Sequence, residues 1–416
     1  MRIKEISAIT IYDSRGKPTI RTKVVLEEGS VGVSSVPSGA SKGKYEALEL
    51  RDNDKDRFFG LTVDQAVANI NQKIAKQLVG VDFKTPADLD KCLIQLDGTE
   101  NKSNLGANAI LSVSQAYLKG LAFSQKKPLW QIINENYFTD VSPSFPRLMV
   151  NVVNGGKHAD FNFDIQEFMI VPKTNLPSQS VYLAAFIFSA LGQRLKKMGL
   201  STLVGDEGGY SPKVLGNETV LQFLTEVGAD IGLKAGVDYD LALDSAASEF
   251  FDQKEKTYHL KSEAKVLDGD RLTDYYLTLE SNYPLVSIED PFCEDDWASF
   301  SKFTAKTKML VVGDDLYVTN TKRIKIGIEK KATNAVLIKP NQIGTVYETV
   351  AAIQMTKKAG WKTVISHRSG ETEDSFIADL AYASSADFIK TGSMCRSERL
   401  AKYNRLIEIE RWERNH

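Results

Sequence analysis

The sequence predicts an α/β protein in which a C-terminal eight-stranded α/β barrel follows a smaller N-terminal α+β domain. Three observations carry this reading. Eight short apolar runs of buried-strand character recur from Arg147 onward, amphipathic stretches of helical length alternate with them, and the residues before them follow another plan, strands first and helices after. The division falls at 1–137 and 138–416, and a chain of 416 residues is long enough for a barrel plus an accessory domain.

In the first part, residues 3 to 11 and 19 to 26 are rich in Ile, Val and Thr and flank a turn from Asp13 to Pro18, which predicts a β-meander. Residues 62 to 79 and 104 to 122 repeat apolar side chains at helical spacing, with Thr62 and Ser103 or Asn104 as the expected caps. In the second part the runs are LMVNVV, FMIVP, DLALD, PLVSIED, MLVVGDD, AVLIKP, KTVISH and DFIKTG. The second follows the first so closely that the two are expected to pair as an antiparallel hairpin, an atypical start for a barrel.

Composition narrows the function. The 52 basic and 54 acidic residues are interspersed, so no charged region argues for a nucleic-acid or membrane partner, and small-molecule chemistry is expected. Cys92, Cys293 and Cys395 form neither a CxxC pair nor a zinc pattern and read as reduced thiols. Asp13 and Arg15 interrupt MRIKEISAITIYDSRG before an apolar run reaches signal or membrane length, which predicts a cytoplasmic protein.

Six of the eight runs finish in a titratable residue: Asp244, Glu289, Asp314, Lys339, His367 and Lys390. One such residue marks only where a strand meets water; six in succession mark the mouth of a barrel, where strand ends converge. Asp244, Glu289 and Asp314 offer hard oxygen atoms without His or Cys, a set suited to Mg²⁺. Asp290 and Asp315 beside them deepen the negative charge, which favours a metal over separate pairing of each acid with a base. Lys339 becomes a base toward a carbon acid if Mg²⁺ and Lys390 lower its pKa; the alternative is a lysine that neutralises the acids. Glu207 in VGDEGGYSP sits in a backbone tightened by Gly205, Gly208 and Gly209, as a functional carboxyl or a surface turn. His158 in NGGKHAD and His367 in SHRSGETED fall in loop-like segments, and Arg368 with Ser369 adds a fork and a hydroxyl suited to phosphate.

These motifs, with DSRGKPT, VPSGASKGKYEALELRD, LDGTENKSNLGANAIL, NGGKHADFNFDIQEFMIVP, LDSAASEF, LIKPNQIGT and IKTGSMCRSERLAKYN, stand in order from residue 13 to residue 404. Together they resemble the enolase family in its bacterial form. The resemblance implies a ββαα start to the barrel, a mobile active-site loop in the first domain, and a homodimer or higher homo-oligomer in the cytoplasm. It implies a carbon–oxygen lyase of glycolysis and gluconeogenesis that interconverts 2-phosphoglycerate and phosphoenolpyruvate with two Mg²⁺ ions per site. Asp244, Glu289 and Asp314 would hold the first ion and Ser41 would help hold the second. Lys339 would take the proton from carbon 2, and Glu207, aided by Glu167 and His158, would protonate the hydroxyl leaving carbon 3. Gln166, His367, Arg368, Ser369 and Lys390 would line the substrate site, with Arg368 and Ser369 on the phosphate. Lys17, Lys42, Phe161 and Phe163 depart from the family pattern without removing a site residue. The nearest rivals, racemases, cycloisomerases and acid-sugar dehydratases, carry a Lys-x-Lys base on an early strand, which FMIVPK lacks.

Overall fold

Strands β1 (Ile3–Tyr12), β2 (Pro18–Leu26) and β3 (Val31–Ser35) form the expected antiparallel meander in this computed structural model, which describes residues 1–39, 43–159, 162–214 and 216–416 and leaves out the side chain of His158. Alternation along β2 turns Ile20, Thr22, Val24 and Leu26 inward, against the helix Ala107–Ser124. Two polar contacts seal this face, Thr22 with Ser112 at 2.7 Å and Ser34 donating to Gln115 Oε1 at 2.7 Å. Gly32 permits the contact, because a Cβ there would stand 1.9 Å from the Ala116 carbonyl oxygen.

The expected caps are corrected. The stretch read as 62 to 79 forms Asp64–Ala68, a wider π-wound Asn69–Ile74, and Ala75–Leu78. Its first N–H groups, of Asp64 and Gln65, donate to the two oxygens of Asp52, each at 2.9 Å, and Thr62 does not cap it. The stretch read as 104 to 122 forms a helix that starts at Ala107 behind Gly106; just before it the N–H groups of Asn104 and Leu105 donate to Asp97 Oδ2 at 3.1 and 2.7 Å. At the first start a carboxylate outside the helix supplies the acceptor; at the second the Ala107 N–H donates to the Leu48 carbonyl at 2.8 Å, and Asp97 holds the segment just before the helix. The helices Pro86–Asp97 and Leu129–Tyr137 complete this part of the chain.

The eight apolar runs all become barrel strands: β4 (Arg147–Asn154), β5 (Glu167–Pro172), β6 (Tyr239–Asp244), β10 (Leu285–Glu289), β11 (Leu310–Gly313), β12 (Ala335–Ile338), β13 (Lys362–Ser366) and β14 (Phe388–Lys390). They close in the order β10-β11-β12-β13-β14-β4-β5-β6. A small sheet outside the barrel, β7 (Phe251–Asp252), β8 (Thr257–Leu260) and β9 (Lys265–Leu267), was not anticipated. Strand β5 runs antiparallel to both neighbours, and the helices Pro177–Lys197 and Asn217–Asp230 follow it before β6, so the start is ββαα. An apolar cluster including Met149, Met169, Ala242, Val312, Leu337, Val364 and Phe388 draws on seven of the barrel strands. No helix among the described residues is long and apolar enough to cross a membrane.

Asp90 joins the first part of the chain to the barrel. Its Oδ2 accepts the Tyr347 N–H at 2.8 Å, in the first turn of the helix Val346–Lys358, and burial pushes its carboxyl up to about 7. A carboxyl whose folded pKa lies above its unfolded value gives stability that is complete below the unfolded pKa and lost as pH rises through the folded one. Asp90→Asn removes that titration. The variant is expected to gain on the parent by about 1–3 kcal/mol between pH 5 and pH 8, and denaturant unfolding at the two pH values checks it; an equal difference at both would refute it.

Candidate active site

Because β5 runs against the other seven strands, its first residues reach the mouth of the barrel. Register pairs Glu167 with Asp244 on one side and Asn154 on the other, and Gln166 Nε2 donates to Asp244 Oδ2 at 3.3 Å. Glu167 and Gln166 therefore join Asp244, Glu289, Asp314, Lys339, His367 and Lys390 at one end. All but Glu289 line one cleft together with Glu207, Arg368 and Ser369.

Lys390 holds the near wall. Its ammonium is 2.7 Å from Glu289 Oε2, 2.9 Å from Asp244 Oδ2 and 3.2 Å from Glu167 Oε1, with all four side chains buried. Burial works against its charge, yet these carboxylates outweigh burial and raise its pKa well above the usual lysine value. The acids pay the reciprocal cost of crowding: burial and the charge of Asp244 push Glu289 up to about 8, and burial with Glu207 raises Glu167 well above the usual range.

On the far wall Lys339 pairs with Asp314 Oδ2, and Gln342 donates to Asp314 Oδ1 at 2.9 Å. Burial lowers Lys339, and Arg368 and Lys390 add to that, but Asp314 and Glu289 leave its pKa raised, so Lys390 by itself does not bring about the expected lowering. The pairing of acids with bases, disfavoured in the sequence, is present for Asp244, Glu289 and Asp314 because the ammonium groups come from strands elsewhere in the ring. Asp290 accepts the N–H groups of Asp314 and Asp315 at 2.9 and 2.7 Å, which turns the β11 end into the cleft. Among the described residues in the cleft, Asp290, Asp314 and Asp315 are the group whose oxygens lie within 4.8 Å of one another.

Glu207 is 3% exposed, on a loop pressed against the chain after β14. Gly208 makes this possible, since its φ is +87° and a Cβ would lie 2.5 Å from the Cys395 carbonyl oxygen. Asn151 donates to Glu207 Oε2 at 3.1 Å, and His367 Nε2 stands 3.5 Å from the same oxygen. Arg368 makes a two-pronged contact with Glu46, at 3.0 and 3.2 Å. Ser369 Oγ accepts from Arg15 at 3.2 Å, the arginine of DSRGKPT, which also holds Ser38 and Gly39. The first part of the chain thus reaches the cleft through Arg15 and Glu46. Both lie inside quoted motifs but were assigned no role. Ser41, Lys42 and Phe161 lie outside the described residues, as does the side chain of His158. Phe163 is fully buried, edge-on to Phe168 at 5.5 Å, and so belongs to the packing.

Eight carboxylates and three cations, Lys339, Arg368 and Lys390, line the cleft among the described residues. Such a site can take up a hard cation and, at Arg368 and the lysines, an anionic substrate. The family comparison agrees with this geometry: the description "Enolase, N-terminal domain" matches residues 3–133 and "Enolase, C-terminal TIM barrel domain" matches residues 142–413. With these matches running through nearly all of its length, the chain belongs to the enolase family, whose members are lyases that add or remove water.

Proposed function

We propose that this chain catalyses the reversible dehydration of 2-phosphoglycerate to phosphoenolpyruvate, with two Mg²⁺ ions per site, as a cytoplasmic enzyme of glycolysis and gluconeogenesis. The observation that carries the reading is the opposition of Lys339, after β12, to Glu207, held by Asn151 of β4 three strands away round the ring. A base and an acid so separated can act on two adjacent carbons from different sides.

The donor set fits the metal. Asp244 and Glu289 already converge on one cation, the Lys390 ammonium, and the excess of carboxylates over cations in the cleft calls for further positive charge. Asp244, Glu289 and Asp314 would hold the first ion and Ser41 would help hold the second. Bound Mg²⁺ supplies Lewis-acid charge to the substrate carboxylate, which makes the proton on the adjacent carbon removable. Lys339 takes that proton from carbon 2. Lys390 adds fixed positive charge where negative charge develops. Glu207 then gives a proton to the hydroxyl leaving carbon 3, with Glu167 and His158 assisting; the raised pKa of Glu167 suits a group that carries a proton. Arg368 and Ser369 bind the phosphate, and Gln166 and His367 complete the substrate wall.

A homodimer is the expected assembly. Ile9, Tyr12, Phe58 and Phe59 stand exposed on the first part of the chain, with Phe59 87% exposed, and a second copy would cover them. Ultraviolet detection of phosphoenolpyruvate from 2-phosphoglycerate tests the activity directly, and no product at any Mg²⁺ concentration would refute it.

A further inference from the structure

Arg399 lies in the helix Ser397–Asn415, yet its side chain is wholly buried behind the cleft. Nη1 stands 2.7 Å from His367 Nδ1 and donates to the Arg368 carbonyl at 2.6 Å. Nη2 donates to the carbonyls of Ser369 at 2.5 Å and Asp206 at 3.1 Å. One guanidinium therefore fixes the backbone beside Glu207 and the backbone that carries the phosphate-binding pair. None of the roles above uses it.

A guanidinium has donors only and keeps its proton in proteins. His367 Nδ1 must then be an acceptor, which leaves the single proton of the neutral ring on Nε2. That nitrogen is buried, without a hydrogen-bond partner among the described residues, and 3.5 Å from Glu207 Oε2. Protonating Nδ1 would set an N–H against an N–H. Burial, reinforced by Arg399 and Lys390, pushes the imidazole down to about 3, in keeping with a neutral ring.

We propose that Arg399 is a positioning residue that locks His367 as the neutral Nε2–H tautomer, making it a hydrogen-bond donor into the cleft and not a base. The inference rests on reading the cleft as the dehydration site. It points the Nε2–H toward Glu207 Oε2, which Asn151 already holds, and ties that alignment to a side chain behind the cleft.

The full-length protein labelled with ¹⁵N in its histidine rings tests this by long-range ¹H–¹⁵N spectra, the His367 signals being those lost in His367→Gln. The expected spectrum has Nδ1 bare and Nε2 protonated, unchanged between about pH 5.5 and 8.5. A proton on Nδ1, or an imidazolium forming in that range, would overturn the proposal. Arg399→Lys keeps the charge but cannot span Nδ1 and the carbonyls together. It is expected to give a mixture of tautomers and to lower kcat about tenfold or more, with KM changed less than about threefold. Lost activity with the tautomer unmoved would mean a structural role only and would also overturn it. If Arg399→Lys does not fold, the parent spectrum still decides. The spectra require no turnover, so failure of the parent to dehydrate 2-phosphoglycerate refutes the functional reading separately.

Discussion

Lys339→Ala is expected to lower dehydration by about 10²–10⁴-fold and to reduce exchange of the carbon 2 proton with solvent by a similar factor. The side chain is 15% exposed, paired with Asp314, and its amine ends at the cleft, so its loss leaves the proton without an acceptor in reach. Glu207→Gln should lower dehydration comparably while leaving exchange measurable, because protonating the leaving hydroxyl follows removal of the proton. Isotope exchange in deuterated water, read alongside product formation, separates the two steps. Exchange at the parental rate in Lys339→Ala would remove the lysine from the role of base, and loss of exchange in Glu207→Gln to the same extent would mean that the acid and base are not divided in this way.

Removing divalent cations is expected to be as severe. Exhaustive dialysis against EDTA should reduce turnover by about 10²-fold or more, and Mg²⁺ should restore it. The cleft collects eight carboxylates against three cations, and without further positive charge an anionic substrate meets net repulsion there. Ca²⁺ is expected to bind and support little turnover, since its longer and more variable coordination places ligands less strictly. Full activity in the chelated protein would sink the metal requirement.

Much of this site could be read in one dimension because a parallel barrel turns strand ends into neighbours. Asp244, Glu289, Asp314, Lys339, His367 and Lys390 each end an apolar run or directly follow it, and the rule that such ends share a face brings them together. Glu167 and Gln166 needed the resemblance. Glu167 begins its strand and Gln166 directly precedes it, and their place at the mouth depends on the reversal of β5. Arg399 was harder still. In SERLAKYN an arginine reads as part of a solvated helix face, and only packing against the chain near His367 reveals a guanidinium with no exposed surface. The caps failed for a related reason: Asp52 and the Leu48 carbonyl reach the helix starts from outside them, and local spacing at Thr62 or Asn104 contains no trace of that.

The barrel with its reversed hairpin, the family, and the residues able to serve as acids, bases and oxygen ligands are legible in the chain, because periodicity and side-chain chemistry are properties of the chain; the small sheet β7–β9 is not. Tertiary structure decided how those groups are paired and charged. Lys390 reaches Asp244, 146 residues away in sequence, and Glu289, 101 residues away, while Lys339 meets Asp314 and Glu46 meets Arg368. Protonation depends on burial and on charges a few ångströms off, and distance along the chain fixes neither. Lys339 shows the difference: the sequence supplies an amine at a strand end, and the surrounding Asp314, Arg368 and Lys390 set how tightly it holds its proton.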